Sequence, residues 1–442
     1  MKHLIRTVLS LALIGTACAS PAALVPADAA PEDGPPDAAN TDVPTDTCPG
    51  LVATGNAAQR SACTFGPGAL AEQSLGLPPG FGAKLPFDHI VVVMSENRSF
   101  DHYFGQLPAA GKSDVDVWPA DFANPDAAGK SVAIHHLTSP CLTEDPPHGW
   151  APMHAQYNSG AMDGFVKSAA GKSDGHYVLG YYEESDLPFY YWLAKTYAMS
   201  DRHFSSVMGP TWPNRDFLYA GTSNGVKETG GGILKDVPTI FDKMTEANIS
   251  WGVYSDGMPR QDALGWHILS PGTHFFPEFL DALADGSLPA VSFVDPTGAQ
   301  DEHPAANIHG GEAWVRSIYM AARASPLWQR TLIIFTYDEA GGMADHVPPP
   351  AACPPSVDQP DFNRLGFRVP LFLLSPWARQ GYVSHEVHDH TSILRLIELR
   401  FGLGALTTRD ANADALLDML QFGCALPEPP TPPDAAVGGC TP

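Results

Sequence analysis

Two hydrophobic runs stop at pairs of oxygen-bearing side chains. Glu96 and Asn97 lie just past HIVVVM (89–94), and Asp338 and Glu339 directly follow TLIIFTY (331–337). Read as strands, these runs deliver both pairs to strand ends, where open α/β sheets build their sites. Three carboxylates and a carboxamide are hard ligands, suited to calcium, magnesium or manganese and less well to zinc. One divalent cation held by all four is the expectation. For any one of these acids alone, a solvated turn is the simpler reading; two pairs at matching strand ends argue against it.

The chemistry also needs a nucleophile. In GPTWPNR, Thr211 stands two residues before Pro213, with a helical stretch expected from Asn214. Proline favours the first helical position, so Thr211 should lie at a helix N-terminus, whose free N–H groups attract phosphate. A hydroxyl facing a dication is also a usable nucleophile, which adds Thr211 to the metal set. The plainer alternative makes Thr211 only a helix cap. His148 (PPHGW), His154, His303 (DEHP) and His346 (ADHVPPP) sit in loop-like contexts. His148 and His303 are the favoured proton donors to a leaving alkoxide. Asp345 and His346 read equally well as holding their own loop, and Asp389 as a cap for the helix that follows it.

Elements must bring these residues together. HIVVVM, AVSFV (290–294), TLIIFTY and VPLFLLS (369–375) are short, nearly continuous apolar runs, with SWGVYS (250–255) as a fifth. Such runs fit a parallel sheet covered on both faces. Between them, 311–325 and 391–402 have helical apolar periodicity. The expected fold is α/β: a mostly parallel central sheet flanked by helices on both faces. The irregular stretches 105–160, 255–285 and 343–368 would be loops or a cap over the site.

Composition bounds the function. A chain of 442 residues with 44% hydrophobic and 10% aromatic content has material for a large core. A net charge of −24 offers no basic field for nucleic acid. An anionic substrate therefore needs local positive charge, such as a metal. At the N-terminus, Lys2 and Arg6 precede a short apolar run, Val8–Ile14, which reads as an export signal over 1–18. GTAC resembles a lipobox, making Cys18 a candidate for lipidation and membrane anchoring; plain secretion is the alternative. Residues 19–80 would be a Pro/Ala/Asp-rich linker and N-terminal extension, 81–424 the catalytic domain and 425–442 a Pro-rich tail. Besides Cys18 there remain Cys48, Cys63, Cys141, Cys353, Cys424 and Cys440, an even set that fits disulfides in an oxidising compartment.

ENRSFDHYFG, GPTWPNR, DEHP, YDEAGGMADHVPPP and DHTSILRLIE occur in this order over about 87–401. Together they resemble the bacterial phosphoesterase family, which joins non-haemolytic-type phospholipases C and Francisella-type acid phosphatases. The resemblance implies an alkaline-phosphatase-like fold. It implies metal ligation by Glu96, Asn97, Asp338 and Glu339, a nucleophile at Thr211, and phosphate-site histidines at His303 and His148. His267 and His274 are further candidates. Threonine as nucleophile looks more like the phospholipase C branch, whose larger members carry C-terminal β domains with no counterpart here. The expected activity is that of an exported, metal-dependent phospholipase C-type phosphodiesterase acting through a phospho-threonine intermediate, on a phosphate ester, a phospholipid among the candidates. An acid phosphatase with the same site and a non-catalytic surface lipoprotein are the alternatives.

Overall fold

The computed structural model describes residues 55–142, 144–172, 175–230, 237–255, 272–422 and 428–440. The export signal with Cys18, the linker to residue 54, Cys48, His267 and Cys424 lie outside these residues.

The centre is an eight-stranded sheet. In chain order its strands are β1 (His89–Ser95), β2 (Ala198–Ser200), β3 (Trp251–Ser255), β4 (Thr273–His274), β5 (Val291–Asp295), β6 (Thr331–Tyr337), β7 (Leu371–Leu374) and β8 (Val383–Ser384). Their spatial order is β8-β2-β7-β6-β1-β5-β3-β4. From Ile90 to Met94 every side chain of β1 is at most 1% exposed, so both faces of the sheet are covered. The helices Thr211–Ala220 and His390–Phe401 pack together, as do Phe276–Asp285 and Ile308–Ala324. The fold class is α/β, a central sheet flanked by helices.

The five strands expected from apolar runs are all present. β1 pairs in parallel with β5 and β6, and β3 is parallel to β5. VPLFLLS departs from the parallel expectation: β7 runs antiparallel to both β6 and β2. A continuous apolar run reports burial on both faces and nothing about direction. The irregular excursion from 343 to 368 returns the chain beside β6 without a crossover helix. The stretch 255–285 also differs from a loop reading, because Phe276–Asp285 is a helix with buried Phe276, Phe279, Ala282 and Leu283.

Disulfides and polar contacts tie the outer segments to the body. Cys63 is bonded to Cys353, and Cys141 to Cys440. Residues 55–80, read above as part of the N-terminal extension, pack on the body, with Leu75 fully buried. The tail beyond 427 runs along the helix Ile308–Ala324. Arg316 donates to Pro433 O and pairs with Asp434, and the Asn307 amide donates to Gly438 O. A second apolar cluster packs Trp118, Met153, Phe165 and Tyr177 against Met343 and Phe367. Among the described residues no helix is long and apolar enough to cross a membrane.

Candidate active site

The site lies at the carboxyl ends of β1, β5 and β6. After Ser95, the backbone of Asn97 enters the left-handed region at φ 65°, a conformation asparagine tolerates better than most residues. The turn aims the chain at β6. Asn97 N–H donates to Asp338 Oδ1 at 3.1 Å, and Asp338 N–H donates to Ser95 O at 3.1 Å. The two strand ends are thus sewn together. Gly341 permits the approach: a Cβ there would lie 2.5 Å from Asn97 O, and its φ is +63°. Its N–H donates to Glu339 Oε2 at 2.6 Å.

Asn97, Asp338 and Glu339 are fully buried, and Glu96 is 2% exposed. Asn97 Oδ1, Asp338 Oδ2 and Glu339 Oε1 are buried oxygens without a hydrogen-bond partner. Orphaned oxygens of this kind cost free energy unless something positive faces them. Burial, with Asp338 beside it, pushes the Glu339 carboxyl well above the usual range, against the pull of His148. The oxygen donor set fits a hard divalent cation.

Sequence reading missed the group that sits among these acids. Arg215, fully buried, donates from Nη1 to Asp295 Oδ1 at 2.7 Å and from Nη2 to Glu96 Oε1 at 3.2 Å. Its Nε stands 3.7 Å from Asp338 Oδ2. Burial works against its charge, and Asp295, Glu96 and Asp338 outweigh burial, holding the guanidinium firmly charged. Asp295 ends β5 as Glu96 and Asp338 follow β1 and β6; that shared position was the available signal.

Thr211 is the first residue of the helix Thr211–Ala220, with Pro210 at the N-cap. It is therefore inside the helix and not its cap. Pro213 is the third helical residue, where its missing N–H is still one of the unpaired set. Asn214 fixes the approach: its side chain accepts from Val207 N–H and donates to Gly209 O and Pro210 O.

A cleft of about 580 Å³ brings Glu96, His148, Thr211 and His303 together, with Asp145, Lys172, Trp212 and Glu228 among its other walls. The His148 and His303 rings meet edge to face at 5.6 Å. Each ring anchors Nδ1 on a backbone carbonyl, Pro146 O at 2.7 Å and Pro304 O at 2.6 Å. His148 Nε2 lies 3.4 Å from the Asn97 amide and 3.8 Å from Glu339 Oε1. Burial opposes charge on His148, but Glu339 and Asp145 outweigh it and push its pKa up to about 10.

The other acids and histidines stand elsewhere. His154 is on the helix Trp150–Tyr157, against the Trp150 ring. His274 stacks on Tyr254 and is no wall of the cleft. Asp101, Asp345, His346 and Arg368 form a buried ion network that holds the 343–368 excursion. Asp389 caps its helix through a capping box with Ser392.

His102 is structural as well. It donates from Nδ1 to Gly180 O at 2.8 Å. Burial, aided by the charge of Arg98, lowers its pKa to about 3. The unfolded ring takes a proton below its ordinary value near 6.5 while the folded ring stays neutral, so stability falls as pH drops from there towards 3. His102→Gln removes this contribution. Between pH 6 and 4 its unfolding free energy should decline by about 2 kcal/mol less than that of wild type. Parallel urea titrations at the two pH values measure this, and equal declines would show that His102 is not held neutral.

A model of the phosphoesterase family matches residues 87–404. Phospholipase C B of Mycobacterium tuberculosis is 31% identical over 436 residues, covering 83% of each chain. Non-specific phospholipase C6 of Arabidopsis thaliana is 31% identical over 378 residues, covering 76% of this chain and 72% of the relative. Among solved structures, the lipoteichoic acid synthase LtaP of Listeria monocytogenes aligns with a TM-score of 0.44 and 9% identity over 82% of this chain and 81% of its own. Likeness at that level carries no functional weight.

Proposed function

The chain belongs to the phosphoesterase family, and we propose that it is an exported, metal-dependent phosphodiesterase of the phospholipase C type that works through a covalent phosphoryl–Thr211 ester. Hydrolysis of phosphoric esters follows from the family and its phospholipase C relatives. The observation that supports the finer reading is the cleft, whose walls include Thr211 at a helix start together with His148, His303 and Glu96. The two disulfides fit an oxidising compartment and so favour export.

Glu96, Asn97, Asp338 and Glu339, with the Thr211 hydroxyl, are the residues that would hold a divalent cation. When bound, it would supply positive charge opposite the phosphoryl oxygens. The chain's own groups do the rest. The free N–H groups of the first turn after Pro210 face the phosphate and draw it towards Thr211. Thr211 Oγ attacks phosphorus and gives its proton to one of His148 and His303, while the other protonates the alcohol oxygen as its bond to phosphorus breaks. In the second step water attacks phosphorus and gives its proton to the histidine that had protonated the alcohol, and the first histidine returns a proton to Thr211 Oγ as the threonine ester breaks. Arg215 keeps Glu96, Asp295 and Asp338 from repelling one another.

The test is a paired assay of p-nitrophenyl phosphorylcholine and p-nitrophenyl phosphate across pH, before and after chelation. The diester should be preferred. Chelated enzyme should lose most of its turnover and recover it with calcium, magnesium or manganese. Preference for the monoester at low pH would instead make the protein an acid phosphatase, and indifference to chelation would contradict metal dependence.

A further inference from the structure

Behind the cleft lies a buried polar cluster whose members sit next in sequence to the site residues. Glu302 precedes His303, Arg98 follows Asn97, and Tyr337 precedes Asp338. The Glu302 carboxylate, fully buried, accepts from the hydroxyls of Tyr103 at 2.5 Å, Tyr190 at 2.5 Å and Tyr337 at 3.0 Å. Arg98 Nε donates to Tyr103 Oη at 3.0 Å, which links the segment after β1 to the same carboxylate. The backbone is tied in parallel, with Glu96 N–H donating to Asp301 O at 2.9 Å.

Two features show that this placement is held against resistance. Glu302 has φ 68°, a left-handed conformation that costs a non-glycine residue free energy and persists only where its surroundings enforce it. The helix Ile308–Ala324 gives way to the side chain: a Cβ at Gly311 would lie 2.2 Å from Glu302 Cγ. Three hydroxyls converging on one buried carboxylate supply strong bonds that fix its direction.

We infer that Glu302 is a positioning residue for the hydrolysis, locking the segments of His303, of Glu96–Asn97 and of Asp338–Glu339 into one geometry from behind. This rests on the site reading given above. A displacement of about 1 Å in such groups is enough to cost about a hundredfold in rate.

The experiment measures kcat and KM for p-nitrophenyl phosphorylcholine, with thermal unfolding, on Glu302→Gln, Tyr103→Phe, Tyr337→Phe and the two double variants. Glu302→Gln keeps the volume and removes the charge. It should lower kcat about a hundredfold per folded molecule and leave KM within about threefold. Each tyrosine change should cost about tenfold in kcat, and much less when Glu302 is already glutamine, because the pair acts as one unit. Wild-type kcat in Glu302→Gln, or fully additive losses, would overturn the inference. If Glu302→Gln does not fold, the tyrosine variants, which keep their rings, carry the test: wild-type kcat in both overturns it. Thr211→Ala, assayed alongside, separates the two readings. Turnover kept by Thr211→Ala would overturn the site itself, whereas turnover lost there but kept by Glu302→Gln overturns only the role of Glu302.

Discussion

Thr211→Ala is expected to lower kcat by about 10⁴-fold or more, some 5–6 kcal/mol of barrier, while the protein stays folded. The hydroxyl lines the cleft on the first residue of the helix Thr211–Ala220, where the N–H groups of the first turn would meet the phosphate. Thr211→Ala removes the nucleophile and one group of the metal set but keeps Glu96, Asn97, Asp338 and Glu339, so residual rates come from substrate binding and the charge neutralisation that these support. Stability should change by less than about 1 kcal/mol, because Pro210 and not Thr211 occupies the cap position. Thr211→Ser keeps the hydroxyl and should keep turnover within about tenfold of wild type. Steady-state kinetics with far-ultraviolet circular dichroism on all three proteins checks this. A folded, active alanine variant would remove Thr211 from the chemistry.

Arg215→Met should be the most destabilising single change near the site. Its guanidinium touches three carboxylates, and all four groups are at most 2% exposed. Taking away the guanidinium that pairs all three leaves buried charges uncompensated, which costs about 3–5 kcal/mol. The sign of the second substitution is the sharper test. Asp295→Asn added to Arg215→Met removes one of the stranded charges and should restore part of the lost stability, about 1–2 kcal/mol. Urea unfolding of the two variants measures it. A double variant less stable than Arg215→Met alone would mean that Asp295 is held by something other than this ion cluster.

The strands and the acids were legible for a shared reason. A strand buried on both faces writes itself as an unbroken apolar run, and the polar residues that end it mark the carboxyl edge where sites form. Glu96, Asn97, Asp338 and Glu339 stand at such ends, just past Ser95 and Tyr337. The same rule, extended to AVSFV, would have found Asp295. Strand direction was not legible, and β7 turned out antiparallel, because burial alone does not encode it. The helix Phe276–Asp285 was missed although Phe276, Phe279 and Leu283 carry its periodicity. Arg215 was hidden because its meaning is spatial: it reads as a helix residue until the fold places it between three acids. Glu302 was likewise an ordinary acid in DEHP until Tyr103, Tyr190 and Tyr337 closed around it.

The central claim, a covalent ester on Thr211, is tested most directly by acid-quenching the enzyme during turnover of p-nitrophenyl phosphorylcholine and mapping the peptides by mass spectrometry. The account predicts a phosphorylcholinyl group on Thr211, absent from enzyme mixed with product alone. The same adduct on a different side chain, or steady turnover with Thr211 unmodified throughout, would contradict it.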